Sequence, residues 1–165
     1  MTYRDLQNAG KQILMLLSHH TGRVPDTENE LSPVVYAYLV GRFRKVTRQH
    51  PLRIGGHPRP SLIDFRHGTS NPMVIELAVR PRAGGHQLSG ISNTRELRKL
   101  SMVPHSKAKR RALLLLDLSS QHLEKHLLRN QYGRITSGLG RFRRHPVRVI
   151  YVHMNKSFTF KWSRG

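Results

Sequence analysis

Two segments of this chain are apolar at almost every position, and this restricts the folds open to it more than any other feature. Residues 73–79 (MVIELAV) contain a single charged side chain, Glu76, and residues 112–118 are rich in leucine. Strands that are apolar on both faces lie centrally in sheets that are covered on both sides. The chain is therefore predicted to form a sheet with helices on both faces.

The remaining elements are predicted from the spacing of apolar residues. Helices are expected at 3–20, 93–102 and 120–132, and strands at 61–66, 147–154 and 158–162. A second helix is predicted to begin with Ser32 as N-cap and Pro33 at its first position, and to continue through Val46. A start at Thr27, with Glu30 closing a capping box, is the alternative. The element order predicts one α/β domain over 1–165, with an N-terminal helix at 3–20 and a core from about 26 to 165.

The charge balance indicates a polyanionic partner. The chain has 29 Lys and Arg against nine Asp and Glu, a formal net charge of +20. Such a surface attracts nucleic acid. Twelve residues from five basic clusters are candidate phosphate contacts: Arg42, Arg44, Lys45, Arg82, Arg95, Lys107, Lys109, Arg110, Arg111, Arg141, Arg143 and Arg144.

Other classes of protein are excluded on simple grounds. The absence of cysteine excludes disulfides, thiolate zinc sites and cysteine nucleophiles. The longest apolar run, residues 112–116, is far shorter than the roughly 20 residues that a membrane-spanning helix needs. We expect an intracellular, cytoplasmic protein without a membrane partner.

Two of the scarce acids lie in apolar strands, where an unpaired carboxylate is costly. If the strands at 61–66 and 73–79 form a hairpin, Asp64 and Glu76 can converge and bind Mg²⁺ or Mn²⁺ with part of its hydration shell retained. Glu30, on the preceding helix, could supply a third oxygen. Alternatively, each acid pairs with an arginine of the set Arg59, Arg66 and Arg80.

The residues Pro60-Ser61-Leu62-Ile63-Asp64, followed after eleven residues by Glu76-Leu77-Ala78, resemble the PD-(D/E)XK nuclease superfamily. The similarity covers roughly residues 30 to 151. It implies a restriction-endonuclease-like fold, a mixed β-sheet flanked by helices. It also implies that Asp64 and Glu76 bind a divalent metal, that Glu30 assists them, and that a lysine two residues after Glu76 positions the attacking water.

That lysine position holds Ala78, which can neither orient a water nor stabilise negative charge on a phosphate. Three accounts remain open. Another element supplies the cation, with Lys99 as the first candidate and Arg80 as the second. Ala78 is an introduced Lys-to-Ala substitution. Or the domain has lost catalysis and retains nucleic-acid binding.

The resulting prediction is a Mg²⁺- or Mn²⁺-dependent endonuclease that hydrolyses phosphodiester bonds of DNA, acting alone, as a homodimer or in a larger nucleoprotein complex. Asp64, Glu76, Lys99 and Arg80 are its candidate catalytic residues. The alternative is a non-catalytic basic module that binds DNA or RNA.

Overall fold

A computed structural model describes residues 1–54, 59–83, 90–133 and 145–163 of the chain. Within them, the helices are α1 (Tyr3–Ser18), α2 (Glu28–Arg42), α3 (Gly90–Met102) and α4 (Lys125–Gly133). The strands are β1 (Val46–Leu52), β2 (Ser61–His67), β3 (Met73–Arg80), β4 (Arg110–Asp117), β5 (Val147–His153) and β6 (Ser157–Trp162).

The six strands form one mixed sheet in the order β1-β2-β3-β4-β5-β6. The β1–β2, β2–β3 and β5–β6 pairs are antiparallel, whereas β3–β4 and β4–β5 are parallel. Parallel neighbours need a crossover connection, and α3 and α4 lie in these two connections. The two strands that are apolar on both faces, β3 and β4, occupy the centre, as predicted.

A hydrophobic core lies on each side of the sheet. On one side α1 and α2 pack against residues such as Phe65 and Leu114. On the other side α3 and α4 pack against residues such as Leu113 and Tyr151. The predicted α/β class with helices on both faces is confirmed.

The close approach of α1 to the sheet depends on Gly10. A Cβ atom at this position would lie 3.0 Å from the side chain of Val152 and 3.3 Å from that of Leu116, so a larger residue would require these neighbours to shift. No helix in the described parts of the chain is both long and apolar enough to cross a membrane.

Several element boundaries differ from the sequence prediction, and three of the differences matter most. The helix N-cap is Thr27, the alternative start, rather than Ser32, so Pro33 lies inside α2. Val46 begins strand β1, which was not predicted, instead of continuing the helix. The fourth helix begins at Lys125 rather than near residue 120. The first of these differences bears on which acid of α2, Glu28 or Glu30, lies near Asp64.

Candidate active site

Asp64 and Glu76 lie at neighbouring strand positions where the β2–β3 hairpin opens. Backbone pairing runs through His67↔Met73, Arg66↔Val74 and Phe65↔Ile75, and the next pair in this register would be Asp64 and Glu76. There the pairing stops, and Oδ2 of Asp64 accepts a hydrogen bond from the Leu77 amide at 2.8 Å. A carboxylate thus takes the place of a backbone acceptor at the opening.

The side chains of strand β2 also change from one face of the sheet to the other at Asp64. Phe65 packs in the core beneath α1 and α2, whereas Ile63, two residues earlier, packs in the core beneath α3 and α4. Residues two apart in a regular strand would face the same side. On β1 the register position opposite Asp64 is Gln49, which is unpaired and has a φ of 50°. The irregular backbone of both strands is centred on this acid.

Glu76 is the most strongly perturbed acid of the site. Its side chain lies in the middle of the sheet and the residue is only 1% exposed. Burial, followed by the negative charge of Asp64, raises the pKa of Glu76 to about 10, and Lys99 offsets only part of this effect. Glu76 therefore holds its proton more tightly than an ordinary glutamate, and positive charge nearby favours its ionised form.

Lys99 reaches this acid from α3. Its Nζ lies 2.9 Å from Oε1 of Glu76 and 2.7 Å from Oε2 of Glu96. The same ammonium donates a hydrogen bond to the Leu62 carbonyl at 3.1 Å. Burial works to lower the pKa of Lys99, but the two glutamates outweigh it and raise that pKa, so the ammonium stays charged.

Ala78 lies on the same face of β3 as Glu76, two residues further along, and is almost fully buried in the core beneath α3. It carries no polar group. The positive charge beside Glu76 comes from the neighbouring helix. Of the two cations that sequence analysis offered in place of a lysine at position 78, the structure brings Lys99 to the acid.

Arg80, the other candidate, is held elsewhere. Its Nη1 donates to Oδ2 of Asp117 at 3.1 Å and to the Gln121 carbonyl at 2.8 Å. Asp117 is completely buried, and it also accepts hydrogen bonds from Tyr151 and Ser119. This polar network joins the ends of β3, β4 and β5 to the chain that follows β4, and it directs Arg80 away from Glu76.

Glu30 does not join the two acids. Its Oε2 accepts hydrogen bonds from the backbone amides of Asp26 and Thr27 and from the Thr27 hydroxyl, which completes the N-terminal capping box of α2. Its Oε1 pairs with Arg23. The structure does not place Glu30 in its expected auxiliary role, because its carboxylate completes the capping box of the helix.

Two acids that sequence analysis did not select contribute to the site instead, Glu28 and Glu96. Although the Glu28 side chain is exposed, loss of water around its carboxyl group and then the charges of Asp64 and Glu96 raise its pKa to about 7. We call Glu28, Asp64, Glu76 and Glu96 the acidic cluster. The sequence could have predicted the contact of Glu96 with Lys99, because residues three apart lie on one helix face.

The arginine-pairing alternative does not describe these acids. Among the described residues, Glu76 forms its ion pair with Lys99, and Asp64 forms none. No set of three or more His, Asp or Glu side chains in the described ranges is close enough together to hold a metal ion as arranged.

The chain matches no protein-family model, no curated protein and no solved structure. The site must therefore be judged on its own geometry.

The basic candidates divide into three groups. Exposed residues are Arg42, Arg44, Lys45, Arg82, Arg95, Lys107 and Lys109. Arg110 is half-buried and donates to the Met1 carbonyl, whereas Arg111 is only 2% exposed and donates from Nε and Nη2 to the Val103 carbonyl. Arg111 is therefore structural, a correction to its expected surface role. Arg141, Arg143 and Arg144 lie outside the described residues.

Proposed function

We propose that this chain is a Mg²⁺- or Mn²⁺-dependent nuclease of the PD-(D/E)XK type that acts on DNA, with its ammonium group supplied by α3. The observation that carries the proposal is the 2.9 Å contact between Nζ of Lys99 and Oε1 of Glu76. It offers a cation at the acidic hairpin even though position 78 is alanine.

The arrangement of elements supports the proposal. An acidic hairpin, β2–β3, precedes a helical crossover to a parallel strand, and a helix bearing acids in its first turn comes before it. Mixed sheets host many functions, so the fold alone would not justify a nuclease. The argument rests on acids and lysine together at the opening of the hairpin.

Asp64 and Glu76 fit a hard divalent cation. Oε1 of Glu76 is buried and accepts no well-aligned hydrogen bond among the described residues, even though the Lys99 ammonium lies beside it. Carboxylate oxygens are what Mg²⁺ accepts when it keeps most of its water for a phosphate ligand. When bound, the ion would supply a nucleophilic water at neutral pH and offset charge on phosphorus.

The chain's own residues would do the rest. The Lys99 ammonium can orient a water beside Glu76 and stabilise negative charge that develops on phosphate oxygens. The hydrogen bond from the Leu77 amide holds one oxygen of Asp64 in place. The pKa of Glu28 at about 7 leaves its carboxyl group able to take up or release a proton near neutral pH.

Plasmid and oligonucleotide cleavage in Mg²⁺ or Mn²⁺ tests the proposal. We expect the unaltered chain to cut, and Asp64→Asn and Lys99→Met each to lower the rate by roughly 100-fold or more, the usual effect of removing one group that stabilises transition-state charge. Lys11→Met removes an exposed lysine from α1, across the sheet, and should leave the rate unchanged.

A relocated lysine gives a sharper control. The double substitution Ala78→Lys/Lys99→Ala moves the ammonium from α3 to β3, and we expect it to recover part of the rate that Lys99→Ala loses. Thermal unfolding verifies that each variant is folded. If the unaltered chain and every variant fail to cut with any divalent ion, the nuclease proposal is wrong.

A second candidate is a non-catalytic module that binds nucleic acid through charge. It is favoured by the contacts of Lys99 with both Glu76 and Glu96, which partly neutralise the acids without any metal. This candidate expects no cleavage, binding that weakens with salt, and the same affinity with and without EDTA. Chelator-sensitive binding would count against it.

A further inference from the structure

A basic cavity of about 510 Å³ opens at the β1 side of the sheet. It lies between the end of β1, the turn from β2 to β3 and the loop after α3. Its polar lining is His50, Arg53, Arg66, Thr69, Ser106 and Lys107. No acid lines it among the described residues, so three cations share one cavity without a negative counterpart.

These cations have unused binding capacity. Within the described chain, none of Arg53, Arg66 and Lys107 forms an ion pair. Nε of Arg66 is buried and has no hydrogen-bond partner among the described residues. A buried donor without a partner costs about 1–3 kcal/mol, and like charges in one cavity repel. An anion would relieve both costs.

The cavity is close to the acidic cluster. Arg66 pairs with Val74 across the hairpin, and Glu76 follows Val74 by two residues on the same face of β3. Two strand residues advance roughly 7 Å. A nucleic-acid strand with one phosphate at Glu76 and Lys99 could therefore present a neighbouring phosphate to Arg66.

We propose that this cavity binds a phosphate group of a nucleic-acid strand beside the phosphate that the acidic cluster would take. The placement beside a second phosphate rests on the proposed function, whereas phosphate binding in the cavity does not. Guanidinium groups match phosphate oxygens with paired hydrogen bonds, and the hydroxyls of Thr69 and Ser106 add further donors. The phosphate could be an internal diester or a terminal monoester.

Fluorescence anisotropy with labelled single-stranded DNA in EDTA separates binding from cleavage. We expect Arg66→Gln and Lys107→Gln each to weaken binding about tenfold, as the loss of one charged hydrogen bond predicts. The slope of affinity against salt should fall by about one unit. Arg4→Gln removes the same charge from the exposed surface of α1, on the other side of the sheet, and should cost much less.

Oligonucleotides with a 5′-phosphate or a 5′-hydroxyl distinguish the two phosphate sources. If both oligonucleotides bind the unaltered chain with equal affinity, and Arg66→Gln weakens the binding of both to the same extent, the phosphate is an internal diester. A preference for the 5′-phosphate that Arg66→Gln abolishes indicates a terminal monoester. If Arg66→Gln and Lys107→Gln, both folded by thermal unfolding, lose no more affinity than Arg4→Gln, the cavity proposal is overturned.

The His50 ring provides a readout that does not depend on affinity. Burial and then the Arg66 charge lower the pKa of His50, and Arg53 and Lys107 line the same cavity. We expect added DNA to raise this pKa in NMR titrations, because a phosphate would stabilise the imidazolium. An unchanged pKa at saturating DNA contradicts the cavity proposal. A chain that fails to cut but shows these cavity effects would overturn the nuclease proposal and leave this one standing.

Discussion

Glu76 carries the largest electrostatic cost of any acid in the described chain. It lies in the central strand with its carboxyl group removed from water, close to Asp64. A neutral or apolar side chain would pack there without this cost. Lys99 supplies one compensating charge, and under the proposed function a bound metal ion supplies the rest.

The first prediction concerns Glu76→Gln. The pKa of Glu76 rises from 4.5 to about 10 on folding, so between these pH values the folded protein holds a proton that the unfolded chain has released. Stability due to this group therefore falls as pH rises through that window. We expect Glu76→Gln to be more stable than the unaltered chain by about 1–3 kcal/mol at pH 9, and much less so at pH 5.

Urea unfolding at the two pH values measures this difference, with Glu124→Gln on the surface as the control. Glu76→Gln should also abolish cleavage under the proposed function. The quantity to compare is the gain in stability of Glu76→Gln over the unaltered chain. If this gain is smaller at pH 9 than at pH 5, Glu76 does not destabilise the protein at alkaline pH.

A second prediction separates Glu28 from Glu30. Because Glu30 completes the α2 capping box, Glu30→Ala should lower the free energy of unfolding and leave metal affinity unchanged. Glu28→Gln should not lower stability at neutral pH, because folding already disfavours the charged form of Glu28. It should alter the pH dependence of Mn²⁺ binding near pH 7, where this group titrates. Calorimetric titration and urea unfolding of both variants test the pair. Lost metal affinity in Glu30→Ala would reverse the assignment.

At the scale of elements, β1 and β2 are the least regular part of the sheet. Gln49 has a left-handed backbone, and the β1–β2 pairing skips it and Asp64. Left-handed backbone costs roughly 1–2 kcal/mol for a residue with a Cβ atom. The sheet tolerates this cost where the side chains of β2 change faces. This change places Ile63 and Phe65 in different cores.

The third prediction follows from that geometry. Gln49→Gly should stabilise the protein by about 0.4–1 kcal/mol, because glycine adopts a positive φ without strain. Thr47→Gly, on the same exposed strand with ordinary pairing, should destabilise it by a similar amount. Urea unfolding measures both. If both substitutions destabilise the protein equally, the strain at Gln49 is not real.

Two elements illustrate why some boundaries escaped sequence analysis. Only Val46 and Leu52 are buried in β1, and Pro51 interrupts its pattern, so an edge strand with one covered residue at each end resembles a polar loop. In α2, Pro33 at the first helical position is the common arrangement. The capping box at Thr27 prevailed because Asp26, Thr27 and Arg23 all bind Glu30.

At the scale of the whole molecule, the distribution of charge is uneven. The net charge is +20, yet four of the nine acids belong to the acidic cluster. Positive residues elsewhere repel one another and oppose compaction. The same charges would attract a phosphate backbone toward the one region where carboxylates are gathered.

The fourth prediction is that salt has opposite effects on stability and on binding. Between 50 and 200 mM NaCl, DNA affinity in EDTA should fall by about 10³-fold or more if six or more phosphates are contacted. The melting temperature should rise by about 2–4 °C as screening relieves roughly 1 kcal/mol of repulsion. Anisotropy and thermal scans measure the two. A melting temperature that falls with added NaCl would contradict the repulsion argument.

The amino-acid sequence is enough to predict the layered α/β architecture, because apolar runs in β3 and β4 can be buried only in a sheet covered on both sides. It also identified Glu76, because an acid in such a run is conspicuous, and Asp64 through the predicted hairpin of β2 and β3. Which cation contacts Glu76, and which acid of α2 lies near Asp64, follow instead from the fold. Those choices depend on how helices pack across the sheet and where strands diverge, and local spacing contains neither.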